Sequence, residues 1–378
     1  MTKTGFLRPI GMSLKKNWFT TSALLIGLAW CSPAFSQHQV VLRTLQIIET
    51  KKLSFDSEGL TVDEDQRLGW DQVLSVSNLD DVAQKSIEEF IQTVGLPLIR
   101  IRKRLEIQDW QGLADAVDQL YRDQLDTPVS RQNARRLFWI NLAQFQNKLK
   151  LSQRSLSLIP LMKASEIWRS HPHVTDDLSN TLISKQNLKQ GFHESLLPIW
   201  FNLKNASDVA ETLVANSTDR KLMTDGELIY RISLFATSGH PQNCEKCLSE
   251  LQQRSSVLAQ NWLPLMKFMS SKDSNKIRIL ESELKNVTNI RLAIARFLLA
   301  RQLSSESKAT DRHVLSLLSI AANQGRQYPG FAAASLFLAS EISQMNGHKE
   351  EAQTMRSELS RKFGYTYHGS IVSQPKKD

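Results

Sequence analysis

Cysteine is nearly absent, with three residues in a chain of 378 at positions 31, 244 and 247. Cys244 and Cys247 form a Cys-x-x-Cys pair, but Leu248 stands where haem attachment requires a histidine. Two cysteines alone do not complete a structural metal site. Other signatures of chemistry are missing as well. No glycine-rich loop is present to cradle phosphate, and no Gly-x-Ser-x-Gly elbow to present a nucleophile. His193-Glu194-Ser195-Leu196-Leu197 opens like a zinc-protease helix, yet Leu197 replaces the second histidine. His171-Pro172-His173 with Asp176 and Asp177 collects imidazoles and carboxylates, but in a polar stretch where Pro172 splits the two rings, so it reads as a surface loop. Acid pairs are frequent, and on helices these make solvated faces more often than catalytic dyads. The expectation is a protein that is not an enzyme and carries no cofactor or metal.

Long apolar runs are also scarce. The one at 23–30 follows Lys15 and Lys16 and precedes Ser32-Pro33-Ala34-Phe35-Ser36. Ala34 and Ser36 fit the −3 and −1 positions of a signal-peptidase site, with cleavage between Ser36 and Gln37. The run is too short to span a bilayer. Trp30 is too bulky for lipoprotein processing at Cys31, and Met12 offers a more compact start to the same leader. Residues 1–36 are therefore expected to be a signal peptide on an exported protein, periplasmic or secreted, with bacterial export favoured and no stable membrane span after cleavage. The sequons at Asn205, Asn216 and Asn286 matter only in a glycosylating pathway.

Strong charge of one sign is lacking too. The leader holds four of the 47 basic residues and none of the 38 acidic ones, which leaves +5 on the remainder. That is mild, no basic stripe dominates, and no nucleic-acid partner is expected. The densest basic run is Arg100-Ile101-Arg102-Lys103-Arg104. Leu98, Ile101 and Leu105 share one helix face there, so the charges are expected in solvent.

What is present is periodicity. Residues 37–77 alternate apolar and polar positions at Leu53-Ser54-Phe55, Leu60-Thr61-Val62, Leu68-Gly69-Trp70 and Val73–Val76, between turn-rich stretches. This predicts a β meander of four or five short strands, too small to be secure alone, with Phe55, Trp70 and Val73 packed on each other or on the first helices. From residue 78 the period becomes helical. Asn78 or Asp80 caps a first helix that Gly95 and Pro97 should stop at Val94. Hairpins follow through 78–170. A polar, weakly periodic stretch at 171–194 reads as an irregular connection, a second helical array covers 195–369, and 370–378 is expected to be a loose tail. Trp70, Trp110, Trp139, Trp168, Trp200 and Trp262 are expected mainly as packing anchors.

Three turns share a spacing: a turn former stands five positions before a small residue at Asp109 and Ala114, at Gly239 and Cys244, and at Gly347 and Ala352. The last is the clearest, since Gly347 suits a positive φ after a helix and Ala352 lets two helices approach. This pattern resembles the tetratricopeptide repeat, although the family's large–small–aromatic signature is incomplete in every unit and the units are unevenly spaced. The resemblance implies a mainly α protein, a helical-hairpin solenoid behind a small N-terminal β meander, binding a peptide or protein partner along its surface. Cys244 fills the small-residue slot, which leaves it a packing role or a local disulfide with Cys247. The expected function is a non-enzymatic scaffold. The alternatives are a structural component of an envelope assembly and an envelope-acting hydrolase with an unrecognised site.

Overall fold

The structure is a computed structural model that describes residues 37–63, 65–125, 127–150, 153–175, 183–215, 223–271 and 290–373. The leader up to Ser36, Asp176, Asp177 and residues 272–289 of the expected second helical array lie outside the described residues.

Six short strands open the described chain: β1 (His38–Leu42), β2 (Ile47–Thr50), β3 (Leu53–Asp56), β4 (Gly59–Val62), β5 (Gln66–Gly69) and β6 (Val73–Ser77). They form two antiparallel three-stranded sheets, ordered β2-β1-β6 and β3-β4-β5. Only the second is a simple meander, because β6 returns to pair with β1 and closes the first. Register puts Val40 opposite Ile48 and Val76, and Leu60 opposite Phe55 and Leu68. The expected aromatic packing is present. Phe55 meets Trp70 edge-on at 6.4 Å, and Phe90 stacks on Trp70 at 5.4 Å. The buried indole is satisfied by donating from Nε1 to the Asp56 carbonyl at 3.0 Å.

Helix α1 (Asp81–Phe90), a π turn (Ile91–Gly95) and helix α2 (Leu96–Glu106) make one unbroken rod. Asp80 is its cap, accepting from the Val82 and Ala83 N–H groups. The expected stop at Gly95 and Pro97 is corrected here. In the widened turn the Leu96 N–H reaches the Ile91 carbonyl, and Pro97, which has no N–H to give, sits inside the following first turn of α2. Gly95 is required, since a Cβ there would lie 2.6 Å from the Trp70 carbonyl oxygen. The rod's first half buries Ile87 and Ile91 in the β core, and its second half buries Leu98, Ile101 and Leu105 in the helical core.

The remainder is helical: α3 (Trp110–Arg122), α4 (Ala134–Lys150), α5 (Leu158–Ser170), α6 (Lys185–Gln190), α7 (Leu203–Ala215), α8 (Asp225–Ser238), α9 (Pro241–Gln252), α10 (Val257–Ser270), α11 (Ile290–Ser305), α12 (Asp311–Gln324), α13 (Pro329–Met345), α14 (Lys349–Phe363) and α15 (Tyr367–Ser373). Most helices pack on the next in sequence, and α2, α8, α11 and α13 also touch the next but one. One apolar core runs without a break from Leu98 to Ile342. The described residues on either side of 176–182 belong to that core, where Val174, Ile183, Leu188 and Phe192 are buried. The tail expected from Ser370 is helical as far as Ser373, within α15.

Charge joins the β module to the helices. The Asp71 carboxylate, with its side chain 1% exposed, accepts from Arg102 Nη1 at 2.7 Å and from Arg135 Nε and Nη2 at 3.0 and 3.1 Å. Burial acts to raise its pKa, but Arg135 and then Arg102 outweigh that and hold the carboxyl below the usual range. Arg136 pairs with Glu58 beside it, Nε to Oε2 at 2.7 Å. The basic run is thus not wholly solvated, since Arg102 turns inward and lies 4.6 Å over the Trp139 ring.

Candidate functional site

A cavity of about 620 Å³ opens where the end of α2, the start of α3, the end of α4, residues 183–195 and the start of α13 converge. Its walls are mostly polar. They include the amides of Gln108, Gln146, Asn187 and Gln327, the carboxylates of Glu106 and Glu194, and Arg154. Trp110 and Lys150 stand at one side, with the ammonium 5.3 Å over the indole. A smaller cavity of about 230 Å³ lies beside it, shares Arg154, Gly330 and Tyr365, and extends to Trp200.

Arg154 is the unusual member. It begins the short 3-10 turn Ser155–Ser157 between α4 and α5, where the Ser157 hydroxyl donates to its carbonyl at 2.6 Å. The residue is only 9% exposed. Nη2 donates to the Ser195 carbonyl at 3.0 Å, while Nε is buried with no partner. Among the described residues no carboxylate pairs with it. Burial, only partly offset by Tyr230 and Tyr328, pulls its pKa down to about 10. A guanidinium taken out of water without a counter-charge is costly, and proteins seldom keep one without a use for it.

The opposite wall is irregular backbone held by side chains. Residues 191–202 carry no regular structure, yet Phe192, Leu196, Leu197, Ile199 and Trp200 are buried. Buried backbone needs partners. The Tyr230 hydroxyl accepts from the His193 N–H at 3.1 Å and donates to the Leu196 carbonyl at 2.8 Å. Burial pushes this phenol far above its usual pKa, so it remains a donor. Trp200 Nε1 donates to the Ser233 hydroxyl at 2.7 Å, and Phe192 stacks on Tyr230 at 5.4 Å. His193 Nδ1 accepts from the Ser195 N–H at 3.2 Å, and its ring meets Phe145 edge-on at 5.0 Å. The segment that opens like a zinc-protease helix is therefore not helical.

The turn positions lie elsewhere, and Asp109, Ala114, Gly239, Cys244, Gly347 and Ala352 do not line the cavity. Two of the turns share a geometry. Gly239 and Gly347 have φ of +78° and +90°, and Cys244 and Ala352 are buried five residues on. The third differs. Asp109 caps α3 through the Gly112 N–H at 3.0 Å, the left-handed residue is Gln108 at φ +59°, and Leu113 and Val117, not Ala114, are fully buried. Cys244 and Cys247 are one turn apart in α9, both buried and not joined by a disulfide. Burial pushes the Cys247 thiol up to about 11, which works against thiolate chemistry. Trp70, Trp139, Trp200 and Trp262 are buried anchors, while Trp110 reaches the cavity.

Among the described residues no group of three or more His, Cys, Asp or Glu is placed to hold a metal, and no helix is long and apolar enough to cross a membrane. No protein family, curated protein or solved structure matches the chain. Arg154 escaped the sequence reading although a signal existed, since no acid lies within four positions of it, in Lys150-Leu151-Ser152-Gln153-Arg154-Ser155-Leu156-Ser157-Leu158.

Proposed function

We propose that the protein is an exported, non-enzymatic interaction or scaffold protein whose helices form a tetratricopeptide-like solenoid and bind a peptide or protein partner along its surface. The packing of helices on their next and next-but-one neighbours over one continuous core carries this reading. Such stacking stabilises each unit only through its neighbours and leaves an extended surface free for a partner. The two glycine turns with buried small residues behind them support the same reading.

The test is site-specific photo-crosslinking in the exported fraction, with probes at exposed positions along the helices. The expected result is one recurrent protein adduct, confined to neighbouring positions on one face. Adducts scattered over all faces, or none at any position, contradict the proposal. N-terminal sequencing of the same material should begin at Gln37, and an intact Met1 or Met12 would contradict export by cleavage.

A further inference from the structure

Arg154 brings a buried positive charge to the cavity wall and leaves part of it unused. Nη2 is spent on the Ser195 carbonyl, Nε has no partner, and the residue lines the cavity. Gly330 also lines the cavity, and a Cβ added there would lie 3.9 Å from Arg154 Nη1 and 4.0 Å from Cδ. Gly330 is the second residue of the 17-residue α13. Pro329 before it has no N–H, and the Gly330 N–H finds no acceptor among the described residues. First-turn N–H groups of a helix favour negative charge. The guanidinium and the first turn of α13 therefore border one cavity, and both favour an anion.

The surrounding walls say what else that anion carries. Glu106 and Glu194 share the cavity with Arg154 and Lys150, so the walls carry no net positive charge to balance a dianion such as phosphate. Gln108, Asn187 and Gln327 each present a donor and an acceptor, which matches hydroxyl groups rather than alkyl chains. The volume of about 620 Å³ is that of a small-molecule site.

We propose that this cavity binds a small hydroxylated monocarboxylate of the sugar-acid class, its carboxylate bridging Arg154 Nη1 and the Gly330 N–H and its hydroxyls on the surrounding amides. This site is additional to partner binding on the array surface and does not depend on it.

Calorimetric titration of the full chain with D-glucuronate, D-gluconate, D-glucose and inorganic phosphate tests the proposal. At least one of the two acids should bind, with glucose and phosphate at least roughly tenfold weaker, because each lacks one half of the match. Arg154→Met should abolish the response to the acid. Gly330→Ala adds a Cβ that meets nothing closer than Arg154 at 3.9 Å, so it should leave the Tm unchanged and weaken the acid roughly tenfold by filling the gap. If Arg154→Met does not fold, Gly330→Ala decides. Failure of both acids to bind, equal binding of glucose, tighter binding of phosphate, or acid binding unaffected by Gly330→Ala and by a folded Arg154→Met would each overturn the proposal. None of these outcomes bears on the crosslinking test of partner binding.

Discussion

The β module and the C-terminal hairpin both attach to the helical body, and they do so by opposite means. The module owns a separate core of Val40, Leu60, Trp70 and Ile87, among others, and is latched to its neighbour by Asp71 between Arg102 and Arg135. The hairpin α13–α14 has no comparable buried carboxylate. It buries Phe331, Ala334 and Ala339 in the main helical core and Ala332, Leu359 and Phe363 in a small cluster of its own, with alanines that let the helices come close. Charge gives the first junction direction and register, and it concentrates the stability in a few residues, Asp71 above all. Apolar packing spreads the second junction over many residues, each worth less.

The largest expected effect comes from breaking the latch. Asp71→Ala leaves two guanidinium groups facing each other in a dry junction, and urea denaturation should show a loss of about 3–5 kcal/mol. The wild-type contribution also has a pH window. The folded pKa of Asp71 is lowered, so its stabilisation is complete above the unfolded value of about 3.9 and is lost as pH falls through the folded one. The C-terminal end should respond to acid earlier. Burial, with Arg301 adding, lowers the His368 pKa from 6.5 to about 4 among Phe201, Phe337 and Tyr367. A base with a lowered folded pKa contributes stability above the unfolded value and loses it as pH falls from 6.5 towards 4. Thermal melts should therefore drop across that window by at most about 3 kcal/mol, and His368→Phe should flatten the drop.

Smaller effects sharpen the same contrast. Ala352→Leu forces a larger side chain between α13 and α14 and should cost about 1–3 kcal/mol, without the pH dependence expected at the latch. Gly239→Ala meets no atom within 4 Å, so only its φ of +78° opposes the change, and roughly 1 kcal/mol is expected. A clash-sized loss there would mean that the turn is more crowded than its geometry shows.

Much of the helical body was legible because a period of 3.6 and a cap such as Asp80 are local properties. Gly239 and Gly347 were legible for the same reason, since a positive φ after a helix favours glycine whatever packs against it. The rest depends on partners distant in sequence. Arg102 looked solvated because Asp71, 31 positions away, and Trp139 were out of view. The stretch 171–194 looked like an irregular connection because its few apolar residues have no period, yet Val174, Ile183, Leu188 and Phe192 are buried, with α4, α5 and α8 among the helices packed on them. Gly95 and Pro97 read as a stop because local rules do not foresee a π turn pressed against Trp70. The cavity around Arg154 is assembled from five separated segments, so only the missing acidic neighbours of that arginine marked it.

Hydrogen exchange by mass spectrometry, comparing Asp71→Ala with the wild type, tests most directly the claim that two cores are joined by one charged latch. Exchange should quicken in peptides covering 38–77 and the first half of the rod, with peptides from α13 and α14 unchanged. An equal increase in α13 and α14, or no increase in the β module, would show that the two regions share one core and that the latch does not hold them together.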